Sequence, residues 1–241
     1  MRYGILGDVH SNLEALETAI KAIESEGVDV WMQVGDVVGY GPDPVACINL
    51  LRELDTVVVA GNHDEAVTGR LNVNCFNQAA KDAVIWTRAH LGLRERDWLK
   101  SLPLVTVVND AVTLVHSSPN RPHVFDYIMS LHEAEHALGE FETPVCFIGH
   151  SHEPASFLME ERVRCSMEPT LNLKSCDRAL INVGSVGQPR DENPDTAFGI
   201  YDDETCQFQL FRRAYDIKRT ARKIVAAGLP SLLADRLFLG L

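Results

Sequence analysis

In the first 61 residues, short apolar runs alternate with amphipathic segments, and each run stops at a glycine. Residues 3–6 run into Gly7, residues 30–34 into Gly35 and residues 56–60 into Gly61. Between the first two, Leu13, Leu16, Ile20 and Ile23 fall on one face of a helix spanning 11–27. Ser11 and Glu14 have capping-box spacing there, and Gly27 is placed to end the helix. Asp43 and Pro44 open a second helix, as cap and first helical residue, with Cys47, Leu50, Leu51 and Leu54 as its apolar face. This β-α-β-α-β rhythm demands parallel strands joined by right-handed crossovers, which makes the chain an α/β fold.

The remainder is richer in strands. A helix is predicted over 77–90, then a hairpin of strands 104–108 and 112–115 turning at Asn109-Asp110. A short helix over 130–138 precedes a strand at 145–148. Further strands are predicted at 155–159, 180–183, 197–201 and 208–211, then a last helix over 216–227 and a short tail. Residues 160–178 are polar and unpatterned and read as a loop. With no repeat and no linker, the 241 residues read as one domain around one core.

Charge narrows the function classes. Lys and Arg number 22 against 34 Asp and Glu, a formal net of −12. Such a chain repels polyanions and membrane surfaces, which excludes stable, sequence-independent nucleic-acid binding. An anionic substrate would need a local positive source. No apolar run approaches the roughly 20 residues that span a bilayer, and Asp8 and His10 interrupt any leader-like start. The six cysteines form no CxxC pair and read as free, buried thiols. A cytoplasmic location is expected.

The chemistry concentrates where strands end, which is where open α/β sheets place their ligands. The turns read Gly7-Asp8-Val9-His10-Ser11-Asn12, Gly35-Asp36-Val37-Val38, Gly61-Asn62-His63-Asp64, His116-Ser117-Ser118-Pro119 and Gly149-His150-Ser151-His152. Five of the nine histidines lie in them. Asp-x-His and His-x-His put side chains at i and i+2, on one side of extended backbone. Carboxylates, an amide carbonyl and imidazoles make a mixed O/N set suited to Mn, Fe, Zn, Co or Ni rather than Ca or Mg. The set is too large for one tetrahedral ion and sufficient for two.

The ordered series GDVHSN, GDVVGYGPD, GNHD, HSSP and GHSH resembles the calcineurin-like metallophosphoesterases, over roughly residues 1–200. The resemblance implies a four-layer α-β-β-α sandwich with a dinuclear metal site at the strand ends. It implies two divalent ions, one held by Asp8, His10 and His152, the other by Asn62, His116 and His150, with Asp36 bridging. A metal-bridging hydroxide would then attack phosphorus in line, making the chain a phosphodiesterase or phosphomonoesterase of small phosphoesters or nucleotides. Asn62 and His63 would contact the phosphate, and His63 would serve as general acid. Asp64 either orients the His63 ring or caps the segment that follows. Tyr40 is placed to stack on a base or to line the pocket mouth. Arg190, after the Gly-rich turn at 182–189, either grips a phosphate oxygen or pairs with Asp191 or another acid.

Gly39-Tyr40-Gly41 stands where the related Ser/Thr phosphatases have Asp-Arg-Gly, so that phosphate-gripping arginine is missing here. This weighs against protein-phosphatase and dinucleoside tetraphosphatase activity. One alternative is a non-catalytic protein-binding module on the same fold. A remoter one is a zinc protease, because His132-Glu133-Ala134-Glu135-His136 is a literal HExxH. Ser130 and Glu133 have capping-box spacing, however, which turns Glu133 back to the helix start. The basic residues clustered at 212–223 read as a solvated face rather than a polyanion site. Homo-oligomerisation stays open.

Overall fold

In a computed structural model describing residues 1–241, the opening rhythm is realised as β1 (Arg2–Leu6), α1 (Leu13–Glu26), β2 (Val30–Gln33), α2 (Pro44–Glu53) and β3 (Val57–Val58). The three strands are parallel. Three helices follow, α3 (Asn62–Thr68), α4 (Gln78–His90) and α5 (Leu93–Ser101). The predicted hairpin is β4 (Val105–Val108) and β5 (Val112–Val115), with Asn109 and Asp110 both at positive φ, as a tight hairpin turn requires. Next come α6 (Leu131–Leu138), β6 (Val145–Ile148), β7 (Ala155–Met159), β8 (Val163–Ser166) and β9 (Thr170–Asn172). The chain closes with β10 (Arg178–Asn182), β11 (Thr196–Asp202), β12 (Gln207–Arg213), α7 (Ile217–Ala226) and α8 (Ser231–Leu239).

The strands form two six-stranded sheets, ordered β3-β2-β1-β11-β12-β9 and β4-β5-β6-β10-β7-β8. Period-2 alternation decides which side chain meets which layer. Tyr3 and Ile5 of β1 enter a core between the sheets with Met32, Leu114, Phe147, Ile181 and Phe208. Leu6 points the other way, onto Leu16, Ile20 and Ile23 of α1 and Leu51 of α2. On the far sheet, Cys146, Ile148 and Leu180 pack beneath Ala134 and Leu138 of α6. The result is the expected four-layer α-β-β-α order. Each large buried aliphatic or aromatic side chain contributes about 1.5–3 kcal/mol. In the second sheet β5, β6 and β10 are also parallel, so the C-terminal ends of both parallel sets open onto one edge of the sandwich.

Several local expectations are corrected. The cap of α1 is Asn12, whose side chain accepts from Ala15 N at 3.2 Å, and Glu14 does not reach back to the helix start. Its buried carboxylate binds Lys223 (2.8 Å), Arg219 (3.0 Å) and Thr220 (3.0 Å) of α7. Part of the basic cluster therefore answers a buried acid. Asp43 does not cap α2; Lys223 takes its carboxylate as well. Residues 160–178 are not a loop, since β8 pairs with β7, and β9 pairs with β12 through Phe208 and Leu171. The tail after α7 is a helix, α8. All six cysteines are free, but only Cys47 and Cys146 are buried.

Candidate metal centre

Asp8 and His10 follow β1, Asp36 follows β2, Asn62 and His63 follow β3, His116 follows β5, and His150 and His152 follow β6. The sandwich edge brings all of them together. Asp8, His10, Asp36 and His152 form one group of converging donors and Asp36, His116 and His150 a second, with the donor atoms of each group within 4.8 Å of one another. Asp36 belongs to both. Asn62 Oδ1 lies 3.0 Å from His116 Nε2 and so joins the second group. The aspartates and histidines are all buried, none more than 8% exposed.

Bringing so many donors to one point distorts the backbone. Asp8, His10, Asp36, His150 and His152 have φ of 41°, 48°, 56°, 68° and 64°. Left-handed conformations of non-glycine residues cost roughly 1–3 kcal/mol each and persist only where the surroundings enforce them. The carboxylates help to do so. Asp8 Oδ1 accepts from His150 N at 3.0 Å, and Asp36 Oδ1 accepts from His63 N at 2.8 Å. Neighbouring backbone must come very close for this. A Cβ at Gly149 would overlap the Asp8 carboxylate and one at Gly61 that of Asp36, so only glycine fits at either position.

Ring orientation is set by the main chain. Nδ1 of His10, His116 and His152 donates to the carbonyls of Val38 (3.2 Å), Val34 (2.8 Å) and Gln188 (2.6 Å). Each then directs Nε2 inward. His10 Nε2 and His152 Nε2 stand 3.0 Å apart, and His116 Nε2 stands 3.2 Å from His150 Nδ1. His116 Nε2 is also 3.4 Å from Asp36 Oδ2.

Burial and mutual attraction set the charges of the cluster. Burial pushes the Asp8 carboxyl up. Burial would raise Asp36 too, but the facing His116 and His63 rings hold it well below the usual carboxylate range. Burial disfavours a charged His116, yet Asp36 outweighs it and lifts the ring to about 9. Asp36 thus draws positive charge to itself, and the mixed O/N donor set fits a pair of borderline transition-metal ions.

His63 lies beside this cluster on α3. Its ring packs against Tyr40, Phe76 and His10 at centroid distances of 4.4, 4.8 and 4.8 Å. Burial lowers its pKa to about 4, and Nδ1 has no hydrogen-bond partner. Asp64 therefore does not orient that ring. Its carboxylate accepts from Gly61 N (2.9 Å), Val38 N (3.1 Å) and Val37 N (3.3 Å), which caps α3 and fastens the β2 turn to it.

Asp36, Asn62, His150 and His152 form the floor of a cleft of about 390 Å³, walled by aromatic side chains that include Phe76, Phe125 and Tyr127. Tyr40 and Arg190 line it, and Arg190 Nη2 lies 3.4 Å from Tyr40 Oη. Of the two alternatives for Arg190, the Asp191 pairing is absent, because Asp191 is taken by Arg212. Arg236 of α8 also lines the cleft. Sequence reading missed it, and the apolar spacing Leu233, Ala234, Leu237 after Pro230 was the available signal for its helix.

The HExxH segment lies outside both donor groups. Glu133 accepts from Met129 N (2.8 Å) and Ser130 Oγ (2.9 Å), while Ser130 Oγ accepts from Glu133 N (3.3 Å). It is a capping box on α6, and the protease alternative is set aside.

A family model described as calcineurin-like phosphoesterase matches residues 1–163. An uncharacterized protein of Methanocaldococcus jannaschii is 35% identical over 241 residues, covering 98% of this chain and 97% of that protein. The crystal structure of a metallophosphoesterase from Sphaerobacter thermophilus is 37% identical, with a TM-score of 0.89 over 100% of this chain and 99% of that one. A hypothetical protein of Pyrococcus horikoshii shares the fold, with a TM-score of 0.83 over 99% and 98% of the two chains at 20% identity.

Proposed function

The chain belongs to the calcineurin-like phosphoesterases, and on that premise we propose that it is a metal-dependent hydrolase of small phosphoesters. The observation that carries the reading is Asp36, which is shared by two groups of donors and lies at the floor of one cleft. Asp8, His10 and His152 would hold one ion and Asn62, His116 and His150 the other, with Asp36 between them. Two divalent first-row ions (Mn, Fe, Zn, Co or Ni) would supply Lewis acidity and a solvent nucleophile at neutral pH.

The protein's own groups do the rest. The carbonyls of Val34, Val38 and Gln188 hold three donor rings in one tautomer, so no reorganisation is needed when substrate arrives. Asn62 and His63 face the cleft and contact the phosphoryl group. His63 gives its Nε2 proton to the leaving-group oxygen, since Nδ1 is buried against Gly39. Burial keeps this ring uncharged when alone, and an anionic phosphoryl group beside it supplies the counter-charge that lets it carry the proton. Tyr40 and Phe76 fix the plane of the ring and keep water from it.

A cleft of about 390 Å³ suits a compact organic ester. The net charge of −12 disfavours long polyanions elsewhere on the surface. Hydrolysis of p-nitrophenyl phosphate and of bis(p-nitrophenyl) phosphate with added Mn²⁺ tests the reading. Turnover of either ester that chelation abolishes is expected. Metal-loaded protein inert toward both and toward a broad ester panel would contradict it.

A further inference from the structure

The cleft is a positive enclave in an acidic protein. Among 34 Asp and Glu residues, only Asp36 lines it, and Asp36 is a metal-ligand candidate. Two arginines enter it from separate parts of the chain, Arg190 from the turn after β10 and Arg236 from α8. Both are half-buried, and neither meets an aspartate or glutamate side chain. Arg190 Nη2 reaches only neutral acceptors, Gln188 Oε1 at 3.1 Å and Tyr40 Oη at 3.4 Å, and its Nε is buried without a partner. Arg236 Nε donates to the terminal oxygen of Leu241 at 2.6 Å, which leaves its other guanidinium nitrogens without an acid. Nearby Arg212, outside the cleft lining, has its acid in Asp191. Withdrawing the Arg190 guanidinium from water without a counter-ion is costly, and two guanidinium groups in one cleft repel each other. Burial and the Arg190 charge both push the pKa of Arg236 down.

We propose that Arg190 and Arg236 form a subsite for a second anionic group, so that the substrate is a compact organic phosphoester bearing a further phosphate beyond the one that is cleaved. The inference rests on the hydrolase reading of the cleft. Tyr40 links the two functions: its ring touches His63 at 4.4 Å, and the Arg190 guanidinium lies 5.8 Å from its centroid. Planar guanidinium forks match phosphate oxygens in pairs, which a lone lysine does not do.

Calorimetric titration at fixed free manganese tests this with two probes that cannot be hydrolysed at phosphorus, methylphosphonate and methylenebisphosphonate. Wild type is expected to prefer the bisphosphonate. Arg236→Ala and Arg190→Ala should each weaken the bisphosphonate about tenfold and methylphosphonate less than twofold, the loss of one charge-assisted contact. Arg236→Lys should recover part of that loss, and it serves in place of the alanine variant if the latter does not fold. Equal losses for both probes, or none, would overturn the subsite. Turnover of p-nitrophenyl phosphate by wild type judges the hydrolase reading separately. Turnover without arginine-dependent bisphosphonate preference sinks the subsite alone. Arginine-dependent preference without turnover supports the subsite and sinks the hydrolase.

Discussion

His10 Nε2 and His152 Nε2 face each other 3.0 Å apart, while the opposite nitrogen of each ring is tied to a main-chain carbonyl, Val38 for one and Gln188 for the other. Two lone pairs aimed at one point are stabilised by a cation between them. Metal binding is therefore linked to folding. An ion at 100 times its Kd adds about 2.7 kcal/mol, and each kcal/mol moves Tm by about 2–4 °C at this chain length. Manganese should raise the Tm of chelator-treated protein by at least about 5 °C in differential scanning fluorimetry. Superimposable melting curves would count against a built metal site.

His63→Ala should separate substrates by leaving group. A general acid matters most when the departing oxygen is basic. Turnover of alkyl phosphoesters is expected to fall by about 10²-fold or more, while p-nitrophenyl phosphate loses much less. Steady-state kinetics on both classes decides it. A uniform loss across them would mean that His63 positions phosphate rather than donating a proton.

Asp64→Ala should act on stability rather than on proton transfer. It strands three buried amide donors, those of Gly61, Val37 and Val38, at a cost of about 2–4 kcal/mol. Denaturant unfolding should register that loss, and the pH profile of turnover should keep its shape. A shifted profile at full stability would restore Asp64 as a partner of the catalytic ring.

On α6, Ser130→Ala should cost about 1 kcal/mol, and metal content should not change. The Met129 amide, with Ser130, holds the Glu133 carboxyl below its usual range. A folded-state pKa below the unfolded one adds stability above the unfolded pKa, and that stability is lost as pH falls through the folded value. The Tm gap between variant and wild type should therefore narrow under acid by the share the Ser130 hydroxyl contributes to the Glu133 shift, the cap to the Glu133 amide persisting. A His132→Ala protein that loses bound metal would revive the protease alternative.

The donors of the centre were legible because they sit in short turns, each directly after an apolar strand, and strand ends are where such sheets gather ligands. What escaped was decided by distant partners. Ser11 and Glu14 meet the capping-box spacing, but Glu14 is drawn to Lys223 and Arg219, some 200 residues downstream. Asp43 has a cap position and gives its carboxylate to Lys223 instead. β8 hid because successive residues Arg164 and Cys165 are both exposed, which erases the period of two. Arg236 hid because α8 opens at Pro230 without a side-chain cap, so the segment lacked a start signal. Asp64 was a choice between two partners that only the path of the β2 turn could settle.

Anomalous X-ray scattering at the manganese edge, from crystals grown with manganese, addresses the centre most directly. Two peaks about 3.5–4 Å apart, both within bonding reach of Asp36, are the expected result. Manganese found elsewhere on the protein, with the Asp8, Asp36, His116 and His152 side chains bonding only to one another, would contradict it.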